Sequence, residues 1–417
     1  MIRLIEALDF RCLRYINQSL DRFLVLVGPN ASGKSTFLDV VALMGQIVSD
    51  GLELAVHKRT KNFQDLVWQR SGDSFELAVE LDIPGERRTF LKKSSYDTVR
   101  YEVRIGVDQE TGKVSILSEK VLLKKSLDHD NDPIQSSLFH SELEAPQTLI
   151  TPKAKRNTKT VVNKVMGGND NFYDETGKGW DHSFKLGPCK SALGNLPDDE
   201  SKFPVATWLK ALFVDGVQRL VLNNALMRRP SPPGQPKRLR QDGSNLPWVI
   251  HSLKANAPER FQDWLGHLKT ALPDLRDIHT VVRPEDRHCY LQIEYGNNLE
   301  VPSWMVSDGT LRLLALTIPA YLPELKGIYI IEEPENGVHP RAVETIFQSL
   351  SSVYDAQILL STYSQVILSI ARASKALCFS KTENGATNIV IGSEHPALLD
   401  WKGETNLGML IAGGIMG

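Results

Sequence analysis

Two stretches of this 417-residue chain combine residue types and spacings that suit phosphate chemistry. The first is Gly28-Pro29-Asn30-Ala31-Ser32-Gly33-Lys34-Ser35-Thr36, a complete G-x-x-x-x-G-K-[ST] pattern. In such a loop successive backbone N–H groups turn inward, and a helix N-terminus behind them adds about half a positive charge. The loop would cradle a nucleotide's phosphates with Gly28, Asn30, Gly33 and Thr36, while Lys34 reaches the outer two phosphates and the Ser35 hydroxyl holds Mg²⁺. The second stretch is Glu332-Glu333-Pro334-Glu335-Asn336-Gly337-Val338-His339-Pro340, which follows the apolar run Gly327-Ile328-Tyr329-Ile330-Ile331. Two carboxylates at the end of a core strand lie where P-loop ATPases place the Mg²⁺-holding acid and the residue that orients the attacking water. A weaker signal, Ser307-Asp308-Gly309-Thr310 ahead of an apolar helix, is a helix cap that suits an anion.

These residues need particular elements to hold them. Phe23-Leu24-Val25-Leu26-Val27 reads as a buried strand delivering the phosphate loop, and the apolar spacing over 36–48 predicts the helix after it. Residues 2–27 read as two strands joined by a turn around 17–21. Strict alternation over 75–83, ended by Pro84-Gly85, predicts a half-buried strand, and 99–107 and 113–123 read as further strands. Periodicity fades over 126–203, which reads as irregular. A helix is expected over 205–227, two more around Pro258 within 246–272, and a strand over 287–295. The fold class is α/β: a P-loop NTPase with a mixed sheet and a helical lobe. Its expected parts are an N-terminal lobe over 1–125, an inserted irregular or α+β region over 126–245 and a C-terminal lobe over 246–417.

Composition excludes several classes. With 41% hydrophobic and 24% charged residues, the chain is ordinary for a water-soluble protein. A net charge of −2 gives no global attraction to nucleic acid or membrane, so any such contact needs a local patch. Two basic patches stand out, Lys153, Lys155, Arg156, Lys159 and Lys164, and then Arg228, Arg229, Lys237, Arg238 and Arg240. Either is a candidate DNA contact, though neither is interleaved with stacking aromatics. No apolar run approaches the length of a membrane span, and no signal-peptide core is present, so a cytoplasmic protein without membrane contact is expected. Four cysteines without C-x-x-C spacing suggest neither zinc nor a disulfide framework.

The order of motifs from the phosphate loop through Ser307 to Thr310 and Glu332-Glu333 to Ile358-Leu359-Leu360-Ser361-Thr362-Tyr363-Ser364 resembles the ABC-type ATPase heads of the RecF/SMC/OLD grouping. It is most similar to the ABC-like AAA proteins of prokaryotic defence and DNA-maintenance operons. The resemblance covers residues 1–85 and 245–417 and implies ATP held between two copies, with Ser307 and Gly309 touching the γ-phosphate bound by a neighbour. It also implies Glu332 as the Walker B acid beside Ser35 on Mg²⁺, Glu333 as general base and Tyr363 at the switch position. The family more often has Asp at the first of these and His at the last. Tyrosine cannot act as an imidazole would near neutral pH, so slow turnover is expected. The family's Q-loop glutamine would be Gln46, Gln64 or Gln69.

The resemblance implies a sensor or scaffold that oligomerises around ATP and holds a separate effector, such as a nuclease, in anti-phage defence or DNA maintenance. Nuclease activity in this chain itself is not expected, because residues 407–417 supply no acidic metal cluster. The alternative is a RecF-like repair ATPase that clamps DNA directly. A transporter ATPase subunit fits less well, since the signature loop lacks the Leu-Ser-Gly-Gly-Gln form.

Overall fold

The computed structural model describes residues 1–93, 95–125, 144–152 and 157–395. The described residues form two compact units, one drawn from residues 1–21, 30–217 and 380–389, the other from 22–29, 218–379 and 390–395.

The first unit is built on an eight-stranded antiparallel sheet. Its strands are β1 (Ile2–Phe10), β2 (Leu13–Ser19), β4 (Ser74–Asp82), β5 (Thr98–Val107), β6 (Val114–Lys124), β7 (Thr158–Val165), β8 (Asp170–Phe172) and β9 (His182–Phe184), in the order β2-β1-β4-β5-β6-β7-β8-β9. Register explains its two faces. Glu6 stands opposite Ala78, and Ala78 opposite Glu102, so these side chains share a face with Glu76, Glu80 and Arg100. On that face Glu76 accepts hydrogen bonds from Thr148 Oγ1 at 2.8 Å and Leu149 N at 2.5 Å, and Glu102 accepts one from Thr151 N at 2.8 Å. The other face presents Phe75, Leu77, Val79, Tyr101 and Val103, all buried. Helix α1 (Lys34–Ser49), close to the expected span, buries twelve of its sixteen residues in this unit.

A six-stranded sheet runs in the order β10-β14-β15-β3-β16-β17, from β3 (Phe23–Val27), β10 (Val217–Leu220), β14 (Ile328–Glu332), β15 (Gln357–Ser361), β16 (Ala376–Lys381) and β17 (Thr387–Ile391); β3, β14 and β15 lie wholly in the second unit. The pairs β14/β15, β15/β3 and β3/β16 are parallel. A second, antiparallel sheet joins β11 (Leu275–Val282), β12 (Cys289–Tyr295) and β13 (Leu299–Pro302). Helices Leu246–Asn256, Pro258–Ala271, Asp308–Thr317 and Pro340–Ser351 close over the core around Phe261, Trp264, Leu311 and Ile346. Trp264 Nε1 donates to Thr317 Oγ1 at 2.8 Å, satisfying a fully buried indole.

Three expectations fail for identifiable reasons. Residues 2–27 form three strands, and the first hairpin turns at Arg11-Cys12 rather than near Asp21; Asp9 and Arg11 adopt positive φ of 58° and 50° without any glycine to signal it. The stretch expected to be irregular contributes β7, β8 and β9. Its lysines disguised a strand: Lys164 is buried against Asp170 at 2.6 Å, and Lys159 Nζ donates to the Asp174 carbonyl. The helix expected over 205–227 stops after Pro204–Ala211 in a π-turn at Leu212–Gly216, beyond which the chain becomes β10.

Glu175 caps helix Pro204–Ala211, accepting from Val205 N at 2.7 Å and Ala206 N at 2.9 Å. Burial, only partly offset by these donors and Lys159, raises its pKa from 4.5 to about 7. The folded chain therefore keeps a proton that the unfolded chain releases, so this group's stabilisation is complete below pH 4.5 and is lost as pH rises toward 7. At about 1.4 kcal/mol per pKa unit the full swing is roughly 3 kcal/mol. Urea unfolding across that window should show a flatter pH dependence for Glu175→Gln than for the parent chain; equal slopes would contradict this assignment.

Candidate nucleotide site

The phosphate loop leaves the end of β3 and enters α1 through three residues of positive φ: Gly28 at 145°, Ala31 at 61° and Gly33 at 106°. Left-handed residues of this kind recur in the backbone concavities that bind anions. Glycine is needed at both ends. A Cβ on Gly28 would lie 2.2 Å from the Phe379 carbonyl oxygen, and one on Gly33 would lie 2.1 Å from Thr387 Oγ1. Thr387 Oγ1 also donates to the Ser32 carbonyl at 3.0 Å, fixing the loop's height. Helix α1 starts at Lys34 with no side-chain cap and no acid in its first turn, so the positive end of its dipole is not offset by a carboxylate there. Lys34 is buried, Ser35 and Asn30 are exposed, and Thr36 is half-buried. Ser32 is also buried, and its Oγ has no hydrogen-bond partner, an orphan that a phosphate oxygen would satisfy.

Sequence reasoning missed what anchors α1. Asp39, buried in mid-helix, accepts from Arg59 Nε and Nη2 at 2.8 and 2.5 Å and from Arg11 Nη1 at 3.2 Å. Arg59 Nη1 also donates to Gln46 Oε1 at 2.5 Å. No local signal marks partners 20 to 28 residues apart. Gln46 is thereby committed, and Gln64, with its amide nitrogen turned inward, would serve its own turn by donating to the carbonyls of Arg70 and Gly72. Gln69 is exposed, at a φ of 50°.

In the second unit register brings the acidic residues to the sheet edge where β3 ends. Glu332 stands opposite Ser361, and Ser361 opposite Leu26. Past the strand ends, Glu333 N donates to the Ser361 carbonyl at 2.8 Å and Thr362 N to the Leu26 carbonyl at 3.2 Å. Three chain segments thus leave one carboxyl edge of a parallel sheet, the usual place for a ligand in such folds. Glu333 adopts a φ of 48°, uncommon for a residue with a Cβ, and Asn336 Nδ2 donates to its carboxylate. Glu332 is paired with Arg219 at 2.5 Å. Glu335 Oε1 accepts from Thr362 Oγ1 at 2.7 Å and Tyr363 N at 2.8 Å, tying the acidic turn to the switch segment. Tyr363 stays 39% exposed; desolvation, then Glu333, Glu332 and Glu335, raise its pKa, so its phenol remains a neutral donor.

Ser307 caps helix Asp308–Thr317, accepting from Thr310 N at 3.1 Å. Gly309 packs against the acidic turn, where a Cβ would sit 2.9 Å from the Gly337 carbonyl oxygen. Asp308 pairs with Arg228, which also donates to the Val306 carbonyl at 2.7 Å. Of the candidate DNA contacts, Arg228 and Lys164 are therefore spent on internal ion pairs, and Lys159 on the Asp174 carbonyl. Lys153, Lys155 and Arg156 lie outside the described residues, whereas Arg229, Lys237, Arg238 and Arg240 are exposed. Among the described residues, no helix is long and apolar enough to cross a membrane.

A serine hydroxyl and a carboxylate are hard oxygen donors of the kind Mg²⁺ takes beside substrate phosphates, so Ser35 and Glu332 fit that ion by chemistry. Replacing Gly33 by Ala should cost about 1–3 kcal/mol in thermal stability through its backbone strain alone. It should also weaken ATP binding at least tenfold, measured by equilibrium titration; parent-like affinity would show that the loop tolerates a side chain there.

The profile of the family described as "AAA domain, putative AbiEii toxin, Type IV TA system" matches residues 23–369. Among solved structures, an Smc head bound to the C-terminal winged-helix domain of ScpA aligns over 93% of this chain and 96% of its own, with 13% identity and a TM-score of 0.54. The Smc head of Pyrococcus furiosus with an extended coiled coil, bound to the C-terminal domain of ScpA, aligns over 93% and 95%, with 13% identity and a TM-score of 0.51. A search among curated proteins gives no sequence match. The fold is thus that of the SMC-head P-loop NTPases, and the chain, matched by that family profile over most of its length, belongs to this AAA-domain family.

Proposed function

We propose that the protein binds ATP with Mg²⁺, hydrolyses it slowly and uses the bound nucleotide to hold two copies together as a scaffold for an effector protein. The observation that carries this reading is the in-register edge at which β3, β14 and β15 release the phosphate loop, Glu332-Glu333 and Thr362-Tyr363. In it Lys34 binds phosphates, Ser35 and Glu332 hold Mg²⁺, and Glu333 receives the proton of the attacking water. Bound Mg²⁺ neutralises charge on the phosphates. Tyr363 donates one hydrogen bond to a phosphate oxygen or to water, but as a neutral phenol it does not take up a proton near pH 7. Ser307 and Gly309 face the γ-phosphate of a second copy, and Gln69 serves as the Q-loop residue. An effector such as a nuclease, in anti-phage defence or DNA maintenance, is the partner class that the family's setting favours.

A second reading, direct clamping of DNA in the RecF manner, draws on the exposed Arg229, Lys237, Arg238 and Arg240. It requires DNA binding that weakens steeply with salt.

Light scattering with ATP and Mg²⁺ tests the scaffold. Glu333→Gln should hold an assembly of at least about 93 kDa, twice the 46.6 kDa chain, and Lys34→Ala should remain a monomer. Turnover by the parent chain should fall below about 10 s⁻¹, the median for enzymes. A monomer in every condition would remove Ser307 and Gly309 from the site.

A further inference from the structure

The carboxylate assigned to Mg²⁺ already faces a cation. Arg219 lies on β10, the strand next to β14 at the end of the six-stranded sheet, and its Nη2 sits 2.5 Å from Glu332 Oε1. Oε1 is closed to solvent. The side chains are unequally covered: Glu332 is 21% exposed and Arg219 44%. Flanking residues Gln218 and Leu220 are buried and pin the β10 backbone, leaving the arginine stem free to move while its Cα is not.

Two requirements conflict at this oxygen. The guanidinium forms an ion pair at the oxygen that a metal would take. Mg²⁺ demands oxygen ligands at about 2.0–2.1 Å in near-octahedral order. A divalent ion on Oε1 would therefore stand within about 4 Å of the guanidinium, and in a partly buried pair that repulsion is poorly screened. Only one of the two cations can hold Oε1 directly. Arg219 can give way, because nearly half of its side chain already meets water and the departing guanidinium is readily solvated.

We propose that Arg219 is a resident counter-cation of Glu332, that Mg²⁺ must displace it, and that this competition sets the metal concentration at which the nucleotide site assembles. Without metal, Arg219 keeps the Glu332 carboxylate compensated and in place. With metal and nucleotide, it swings toward solvent. The inference rests on the role given to Glu332 under the proposed function.

The test measures metal rather than turnover. Mn²⁺ binding in the presence of ATP is followed by electron paramagnetic resonance, and the Mg²⁺ dependence of the ATP-induced rise in melting temperature is recorded in parallel. The proteins are the parent, Arg219→Ala, Arg219→Gln, Arg219→Lys and Glu332→Gln. Both neutral variants should lower the half-saturating metal concentration by about fivefold, the scale of one half-exposed ion pair. Arg219→Lys, which keeps the charge, should stay near the parent, and ATP affinity in EDTA should change less than about twofold. Arg219→Gln removes the charge but keeps a shorter polar side chain, and it decides the matter if Arg219→Ala fails to fold. Unchanged or weaker metal binding in the neutral variants would overturn the proposal and make Arg219 an orienting partner instead. Parent-like metal binding by Glu332→Gln would instead overturn the assignment of Glu332, and the proposal with it.

Discussion

Everything in the candidate site depends on one backbone constraint, the parallel registration of β3, β15 and β14. Parallel strands exchange evenly spaced hydrogen bonds, and a slip by one residue would send every side chain to the other face. Here the core residues Val25, Ile330 and Leu360 are wholly or almost wholly buried, so slippage is not available. Register fixes where each strand runs out, and where the strands run out the backbone stops pairing with itself. Gly28, Glu333 and Thr362 follow the last ladder residues of their strands, and two of their neighbours' bonds, Glu333 N to Ser361 and Thr362 N to Leu26, continue the stitching one step past the ladder.

The polar groups around this edge hold geometry that packing alone would leave loose. Asp39 gathers Arg11 and Arg59 on α1, and Glu335 gathers Thr362 and Tyr363. Asp39 ties two distant segments to α1, and Glu335 ties the acidic turn to the switch segment; removing either acid would leave its donors short of partners, the expensive way to lose a hydrogen bond. Glu333, by contrast, sits in an unfavourable backbone region with its carboxylate held by Asn336.

Much of this was legible in the residues. The strand before the phosphate loop, the helix after it, the helices either side of Pro258 and the strand before Glu332 were all read correctly, because each combines strong periodicity or a buried apolar run with a local stop signal. The family, too, lay open in the order of motifs. What stayed hidden was long-range pairing. The strand β7 carries lysines because Asp170 and the Asp174 carbonyl receive them, and a solvated basic loop has the same letters. The left-handed turn at Asp9 and Arg11 has no glycine, and the strand β10 is too short for periodicity to separate it from the preceding helix. Arg219 could not be singled out at all, since its partner lies more than a hundred residues away.

The central claim is that this edge binds MgATP through Lys34. Equilibrium dialysis of labelled ATP with Mg²⁺ against parent and Lys34→Ala protein tests it most directly. The account predicts saturable uptake by the parent at one nucleotide per chain and at least a tenfold loss of affinity in the variant, about 1.4 kcal/mol or more. Equal affinity in the two, or no uptake by the parent, would contradict it.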